Sequence, residues 1–200
     1  MGSPELGVAS PPFEPAPRDV TTWYLEMRAP DELRAARAPA WPHRIERVLR
    51  PTAAFARYLY LTVGGAHHWT DRVGWAKARW DAHLLRDALE LHTLQIGGAP
   101  VGFAELERQT EGNLQLTYFG LVPEVTGGGF GGALLTYAVQ RAWQLAETRR
   151  VWVHTCTLDA PAALPNYRAR GFSLFRSETR SVMLGRATGP WPGWARDGTG

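Results

Sequence analysis

One stretch constrains this chain more than any other: Leu114 to Gly132, LQLTYFGLVPEVTGGGFGG. An apolar, β-prone segment, Leu114–Leu121, enters a short loop through Pro123. Gly127, Gly128, Gly129, Gly131 and Gly132 follow, and an amphipathic pattern begins at Ala133. Strand, glycine loop and helix start together make a holder for a phosphorylated ligand. Glycine lets the main chain approach a ligand closely and adopt positive φ. The unpaired N–H groups of a helix start point at an anion, and the helix dipole favours negative charge there. Glycine clusters also occur as plain flexible loops. Yet each glycine at a helix start costs roughly 0.5–1 kcal/mol against alanine, so a run of them marks a place where exposed backbone is needed.

The letters satisfy G-x-G-x-x-G through Gly127, Gly129 and Gly132, but a glycine-dense run satisfies many patterns. Val122–Thr126 separate the strand from the first glycine, whereas the dinucleotide turn is tight. A nucleoside-triphosphate loop requires Gly-Lys-Ser/Thr, and no lysine follows.

The stretch resembles motif A of the GCN5-related N-acetyltransferases, which move acetyl from acetyl-CoA to an amine. Leu121-Val122-Pro123-Glu124 is similar to the family's loop after the strand, and Gly129-Phe130-Gly131 followed by Ala133-Leu134-Leu135 to its core. Thr126 stands where the family has Arg or Gln, which removes one cation or amide; its hydroxyl can cap the helix instead. A second segment, Tyr167-Arg168-Ala169-Arg170-Gly171-Phe172, resembles the family's Tyr-x-x-x-Gly-Phe.

Composition agrees with one ordinary globular domain. The 200 residues are 44% hydrophobic and 20% charged, with a net charge of +3, too small to announce a nucleic-acid binder. Lys77 is the only lysine among 22 basic residues. The single cysteine, Cys156, excludes an internal disulfide and a thiolate zinc cluster, which fits a cytoplasmic protein. No apolar run is long enough for a membrane span, and no signal peptide is evident. We expect tails at 1–18 and 187–200 around a single domain at 19–186, with no internal repeat.

Along that domain, Val20–Arg28 reads as a strand and Asp31–Arg37 as a short helix, followed by a connection through 39–50. Thr52–Val63 has helical spacing and ends at Gly64-Gly65, and a second helix is expected over Val73–Leu85. Leu89–Ile96 and Pro100–Arg108 form a hairpin over Gly97-Gly98. The helix after the glycines keeps Leu134, Leu135, Ala138, Val139, Ala142 and Leu145 on one face. Arg150–Thr157 is a buried strand parallel to the one ending at Leu121, a β–α–β crossover. A short helix closed by Gly171 and a final hairpin over Phe172–Leu184 complete the pattern.

The resemblance implies an α/β acyl-CoA N-acyltransferase fold: a mixed, mostly antiparallel sheet of six to seven strands with about four helices. It implies acetyl-CoA as co-substrate, no metal, and direct transfer in a ternary complex. Phe119, Gly120 and Leu121 then bind the pantetheine arm by main chain. Gly127, Gly128, Gly129, Phe130, Gly131 and Gly132 hold the pyrophosphate. Tyr167 is the acid for the departing thiolate. Transfer needs a neutral amine, so a base must take its proton. Glu105 on its apolar strand, His154 on the strand after the glycine helix, and water are the candidates. The acceptor side falls to the loop with His67, His68, Trp69, Asp71 and Arg72, where aromatics can sandwich a substrate and a carboxylate can pair with its ammonium. Cys156 has no histidine–carboxylate relay that would make it a nucleophile. The expected partner is a small-molecule or peptide amine, with no nucleic acid and no membrane; a homodimer stays open. The competing function is a non-catalytic acyl-CoA-binding regulator on the same fold.

Overall fold

Unbroken burial along Leu89–Leu94 and Gly102–Leu106 reflects helices on both faces of one sheet. The computed structural model describes residues 16–39, 41–185 and 189. In chain order the elements are β1 (Ala16–Met27), β2 (Arg44–Arg47), α1 (Ala53–Gly64), α2 (Lys77–Leu84), β3 (Leu89–Ile96), β4 (Ala99–Arg108), β5 (Asn113–Leu121), α3 (Phe130–Gln144), β6 (Arg150–Cys156), α4 (Ala163–Ala169) and β7 (Ser173–Leu184). The strands form one mixed sheet in the order β2-β3-β4-β5-β6-β1-β7. Only β5 and β6 run parallel, joined by α3 as the expected crossover.

Each face has its own core. On one, α3 buries Leu134, Leu135, Ala138, Val139 and Ala142 against Leu25, Leu106, Leu116 and Val153, with Tyr167 and Phe172 closing the layer. Full burial of each leucine contributes roughly 1.5–3 kcal/mol. On the other face α1 and α2 pack Leu59, Tyr60, Val63 and Trp80 on Leu91 and Phe103. Thr52 caps α1 by accepting from the N–H of Phe55 at 3.3 Å.

Several local expectations change. Asp31–Arg37 is not a helix. A single 3₁₀ turn, Pro30–Glu32, is followed by extended chain. That chain is drawn out by two distant acceptors: Arg34 N–H donates to the Arg170 carbonyl at 3.0 Å and Ala36 N–H to Thr136 Oγ1 at 2.9 Å. The connection after Pro39 contains the short strand β2, which pairs with β3. The second helix starts at Lys77 rather than Val73. No hairpin forms over Phe172–Leu184. β7 is one long strand, because β1 lies between it and β6 and pairs antiparallel with both. β1 begins at Ala16, inside the segment expected as a tail; residues 1–15, 187–188 and 190–200 of the two expected tails lie outside the described residues.

A buried charge cluster fastens α3 to the sheet. Glu90, 5% exposed, accepts from Arg141 Nε at 2.8 Å and Nη2 at 2.7 Å. Arg47 lies 2.9 Å away and His92 Nε2 3.0 Å. Burial alone raises the pKa of Glu90, but the bonds from Arg141 and His92 outweigh it and hold the carboxyl at about 2. A depressed carboxylate pKa contributes stability above its unfolded value and loses it as pH falls through the folded one. The contribution of Glu90 to stability should therefore be complete above about pH 5 and be lost, to the extent of roughly 1–3 kcal/mol after solvent screening, as the pH falls from about 4.5 to 2. Urea titrations of the wild type and Glu90→Gln across that range check this: the variant is less stable at neutral pH and its acid slope is shallower.

Candidate active site

The site grows out of a defect in the sheet. β5 and β6 pair only from Asn113–Arg150 to Leu116–Val153. Beyond that point β6 pairs with β1 alone and β5 with β4 alone, so the two parallel strands diverge. On β5, Thr117 is an extra residue between Leu116, paired with Leu106, and Tyr118, paired with Glu105. Such a bulge bends a strand and re-aims the residues after it. The opening is a cleft of about 610 Å³ running from the acceptor-side loop, past Thr117–Leu121, to the glycine loop and α4.

At the glycine end, α3 begins at Phe130, earlier than the pattern from Ala133 suggested. Gly129 is its cap residue, with φ of +83°, a conformation natural to glycine, and no side chain caps the helix. The first-turn amides are thus free to meet an anion. Gly127, Gly129, Gly131 and Gly132 line the cleft, while Gly128 and Phe130 do not. The Phe130 ring is buried in the core and, with Gly128 and Trp41, borders a separate 270 Å³ cavity. The Thr126 hydroxyl donates to the Pro123 carbonyl at 2.8 Å, which steadies the loop rather than capping α3. Asn166 and Arg170 of the α4 segment flank the same turn: a Cβ built on Gly131 would lie 3.8 Å from Asn166 Nδ2, and one on Gly132 only 2.8 Å from Arg170 Nη1.

Phe119, Gly120 and Leu121 line the middle of the cleft. Tyr167 enters it from α4, its ring 5.9 Å from that of Phe119 and 6.0 Å from that of Phe172. Burial, and secondarily the Asp159 charge, raises its phenol pKa above the ordinary value.

His67, His68, Trp69 and Asp71 line the acceptor end, as does His154. His154 keeps an exposed edge, but desolvation by the cleft walls lowers its pKa against the upward pull of Asp159 and Asp71. Asp71 accepts hydrogen bonds from Tyr60 OH, at 2.7 Å, and from Tyr118 OH. Trp69 fits against Gly64, where any side chain would collide with the indole at 2.0 Å, and its Nε1–H donates to Asp159 across the cleft at 3.3 Å.

Glu105 and Arg72 are not in the cleft. Glu105 is 2% exposed and lies beneath α2 and the acceptor loop. It receives a two-point bond from Arg72, at 2.8 and 2.7 Å, a contact from His83 Nε2 at 3.3 Å, and the Thr117 hydroxyl at 2.8 Å. Burial raises its pKa, but His83 and Arg72 overcome this and hold it at about 2. A carboxylate so engaged is a poor proton acceptor for an amine. Apolar neighbours on a strand could not reveal that the covered face was the one carrying this side chain.

Sequence reasoning passed over Thr117, Tyr118 and Asn166, and left Asp159 unassigned. Tyr118 and Asn166 each adjoin a motif residue, Phe119 and Tyr167, which is the signal that could have found them. Asp159 receives Thr155 Oγ1 at 2.7 Å and the Cys156 N–H at 2.9 Å, the local bonding expected of an aspartate just after a strand. Among the described residues no cluster of metal-ligating side chains is present. No helix of the described residues is long and apolar enough to cross a membrane.

A sheet with two parted parallel strands, a glycine-started helix at one end and a tyrosine from the following helix defines an acyl-CoA transferase class of fold. The model of the acetyltransferase (GNAT) family matches residues 52–172, and the chain belongs to that family. The match omits β1, β2 and β7. Among solved structures the fold is similar to a GCN5-related N-acetyltransferase from Kribbella flavida, with a TM-score of 0.60 and 18% identity over 82% of this chain and 58% of that one. A GCN5-related N-acetyltransferase from Sphaerobacter thermophilus gives a TM-score of 0.59 and 17% identity over 84% of this chain and 54% of that one. A functionally unknown conserved protein from Staphylococcus epidermidis gives 0.51 and 17% over 82% and 61%. The chain thus spans little more than half the length of these structures. Against curated proteins the sequence finds no match.

Glu105→Gln should leave the Arg72 charge buried without a counter-charge and cost roughly 3–5 kcal/mol of stability. Replacing both partners, Arg72→Met with Glu105→Leu, should restore most of it. Denaturant melts of the single and double variants check the pair; a single variant as stable as wild type would contradict it.

Proposed function

We propose that this protein is an N-acetyltransferase that takes acetyl from acetyl-CoA and passes it to an amine by direct attack, within a single domain and in the cytoplasm. The observation that carries this is the divergence of β5 from β6, with free α3 amides at one mouth and a carboxylate-bearing aromatic pocket at the other. The residues fit the donor. Amides at the start of α3, flanked by Asn166 and Arg170, suit its pyrophosphate. The unpaired edge of Phe119–Leu121 offers main-chain bonds to an amide-bearing arm and an N–H to polarise the thioester carbonyl.

In this reading the amine nitrogen forms a bond to the acyl carbon as the carbon–sulfur bond breaks. The ammonium proton leaves through His154 or a water beside it, and the Tyr167 hydroxyl gives its proton to the departing sulfur. The raised phenol pKa keeps Tyr167 protonated until a thiolate forms beside it. Trp69, pinned by Asp159, walls the donor arm on the acceptor face. Asp71, with its two tyrosines, draws the cationic amine to the mouth. Glu105 is assigned a positioning role, holding the Thr117 bulge and the acceptor loop.

Two measurements test the reading. Calorimetry with coenzyme A should give a saturable isotherm, and thiol release from acetyl-CoA should depend on added amine. Tyr167→Phe should lower kcat about tenfold or more with the CoA Kd kept within about twofold. Binding without amine-dependent thiol release would favour a non-catalytic acyl-CoA-binding role; no binding at millimolar CoA would remove the transferase reading.

A further inference from the structure

The glycine loop has a second side that the proposed transfer does not use. Gly128 and Phe130 lie outside the cleft and border the 270 Å³ cavity together with Trp41 and Glu124, while Thr126 borders both spaces. Thr126, Gly127, Gly128 and Gly129 are all exposed. A ligand in the cleft can therefore continue over the loop into this cavity.

The cavity's outer wall belongs to the strap between β1 and β2, which precedes the stretch matched by the family model. The strap is laid along the start of α3. Its main chain is tied to Arg170 and Thr136 at Arg34 and Ala36. A Cβ on Gly132 would lie 2.9 Å from Ala36 Cβ, and one on Gly129 4.0 Å from Pro39 Cα. At the strap's end the Trp41 ring sits 6.2 Å from the buried Phe130 ring, and the Trp41 carbonyl lies 3.1 Å from His43 Nδ1. The residue is held in this way and still 65% exposed. An indole held but uncovered is a platform for another flat ring. The Glu124 carboxylate on the same cavity accepts from an N–H at a ring edge and repels an anion. Together they select a flat heterocycle that carries an amine.

The strap's charge is a separate observation. Leu33–Pro39 contains Arg34 and Arg37 and no carboxylate. Both arginines are exposed, and among the described residues neither they nor Arg170 enter an ion pair. Arg47, Arg141 and Arg150, by contrast, each hold a carboxylate. Guanidinium groups left free beside a helix start suit phosphate. Arg170 and the α3 amides already serve the pyrophosphate, so the strap adds two cations beyond that cradle. Coenzyme A carries matching groups past its pyrophosphate: one ribose bearing an adenine and a 3′-phosphate.

Resting on the transferase reading, we propose that this strap seats the nucleotide end of the donor. The adenine lies on Trp41 with its amine toward Glu124, and Arg34 and Arg37 hold the 3′-phosphate. The protein then distinguishes a CoA thioester from a phosphopantetheine thioester by the end of the donor remote from the reaction.

Calorimetry on the purified protein with CoA, 3′-dephospho-CoA and 4′-phosphopantetheine tests this. The wild type should bind CoA about tenfold more tightly than dephospho-CoA. Trp41→Ala should weaken both about tenfold and 4′-phosphopantetheine less than about twofold, and Trp41→Tyr should recover CoA to within about threefold. Arg34→Ala with Arg37→Ala should abolish the preference for CoA over dephospho-CoA. Thermal melts establish that the variants are folded. A wild type indifferent to the 3′-phosphate overturns the inference. So does a Trp41→Ala variant that leaves the CoA Kd unmoved, or that weakens 4′-phosphopantetheine as much as CoA, or an arginine double variant that keeps the preference. In each of these cases CoA binding with amine-dependent thiol release by the wild type keeps the transferase reading. Absence of CoA binding overturns both.

Discussion

The carboxylate of Glu105 is the point on which the site depends. Four donors converge on it: two guanidinium nitrogens of Arg72, His83, and the hydroxyl of Thr117. They come from the acceptor loop, from α2 and from the bulge in β5. One buried anion thereby fixes the three pieces that shape the opening between β5 and β6. Arg72 is further boxed by Tyr118, at 4.2 Å, and by Trp75, at 4.9 Å. A pair this well solvated by its neighbours is specified in geometry even where its net contribution to stability is small. Its value to the protein is that Thr117 cannot slip back into register with β4.

Much of this was legible locally. The crossover, the β3–β4 hairpin, the start of α1 and the two motif segments all rest on residues near one another in the chain, and the structure has them. The Phe130 start of α3 was missed by a few residues because burial of one aromatic ring outweighs the poor helix propensity of its glycine neighbours. The Asp31–Arg37 segment was misread because its hydrogen-bond partners are Arg170 and Thr136, far along the chain. The place of β1 was invisible for the same reason. A strand's sequence reports that it is a strand, not which neighbours it takes.

For the site, the glycine loop, Tyr167, His154 and the acceptor loop are found together around one cleft. Glu105 illustrates where reading by pattern stops. Alternation can tell that a carboxylate shares a face with Phe103, but not that a buried arginine waits on that face. Asp159 is the converse case, a residue with no place in the motif that joins both walls: it binds the turn after β6 and, through Trp69, the loop after α1. That link lets the two halves of the cleft hold a fixed width although no backbone pairing connects them there.

The insertion of β1 between β6 and β7 carries a cost in time. During synthesis this segment leaves the ribosome well before the strands it needs as partners, Val151–Cys156 and Ser173–Leu184. Until those emerge, a β-prone ribbon with Val20, Leu25 and Met27 uncovered must remain unpaired. Closing so long a loop is slow, and an orphan strand in the meantime is a natural client for a holding chaperone.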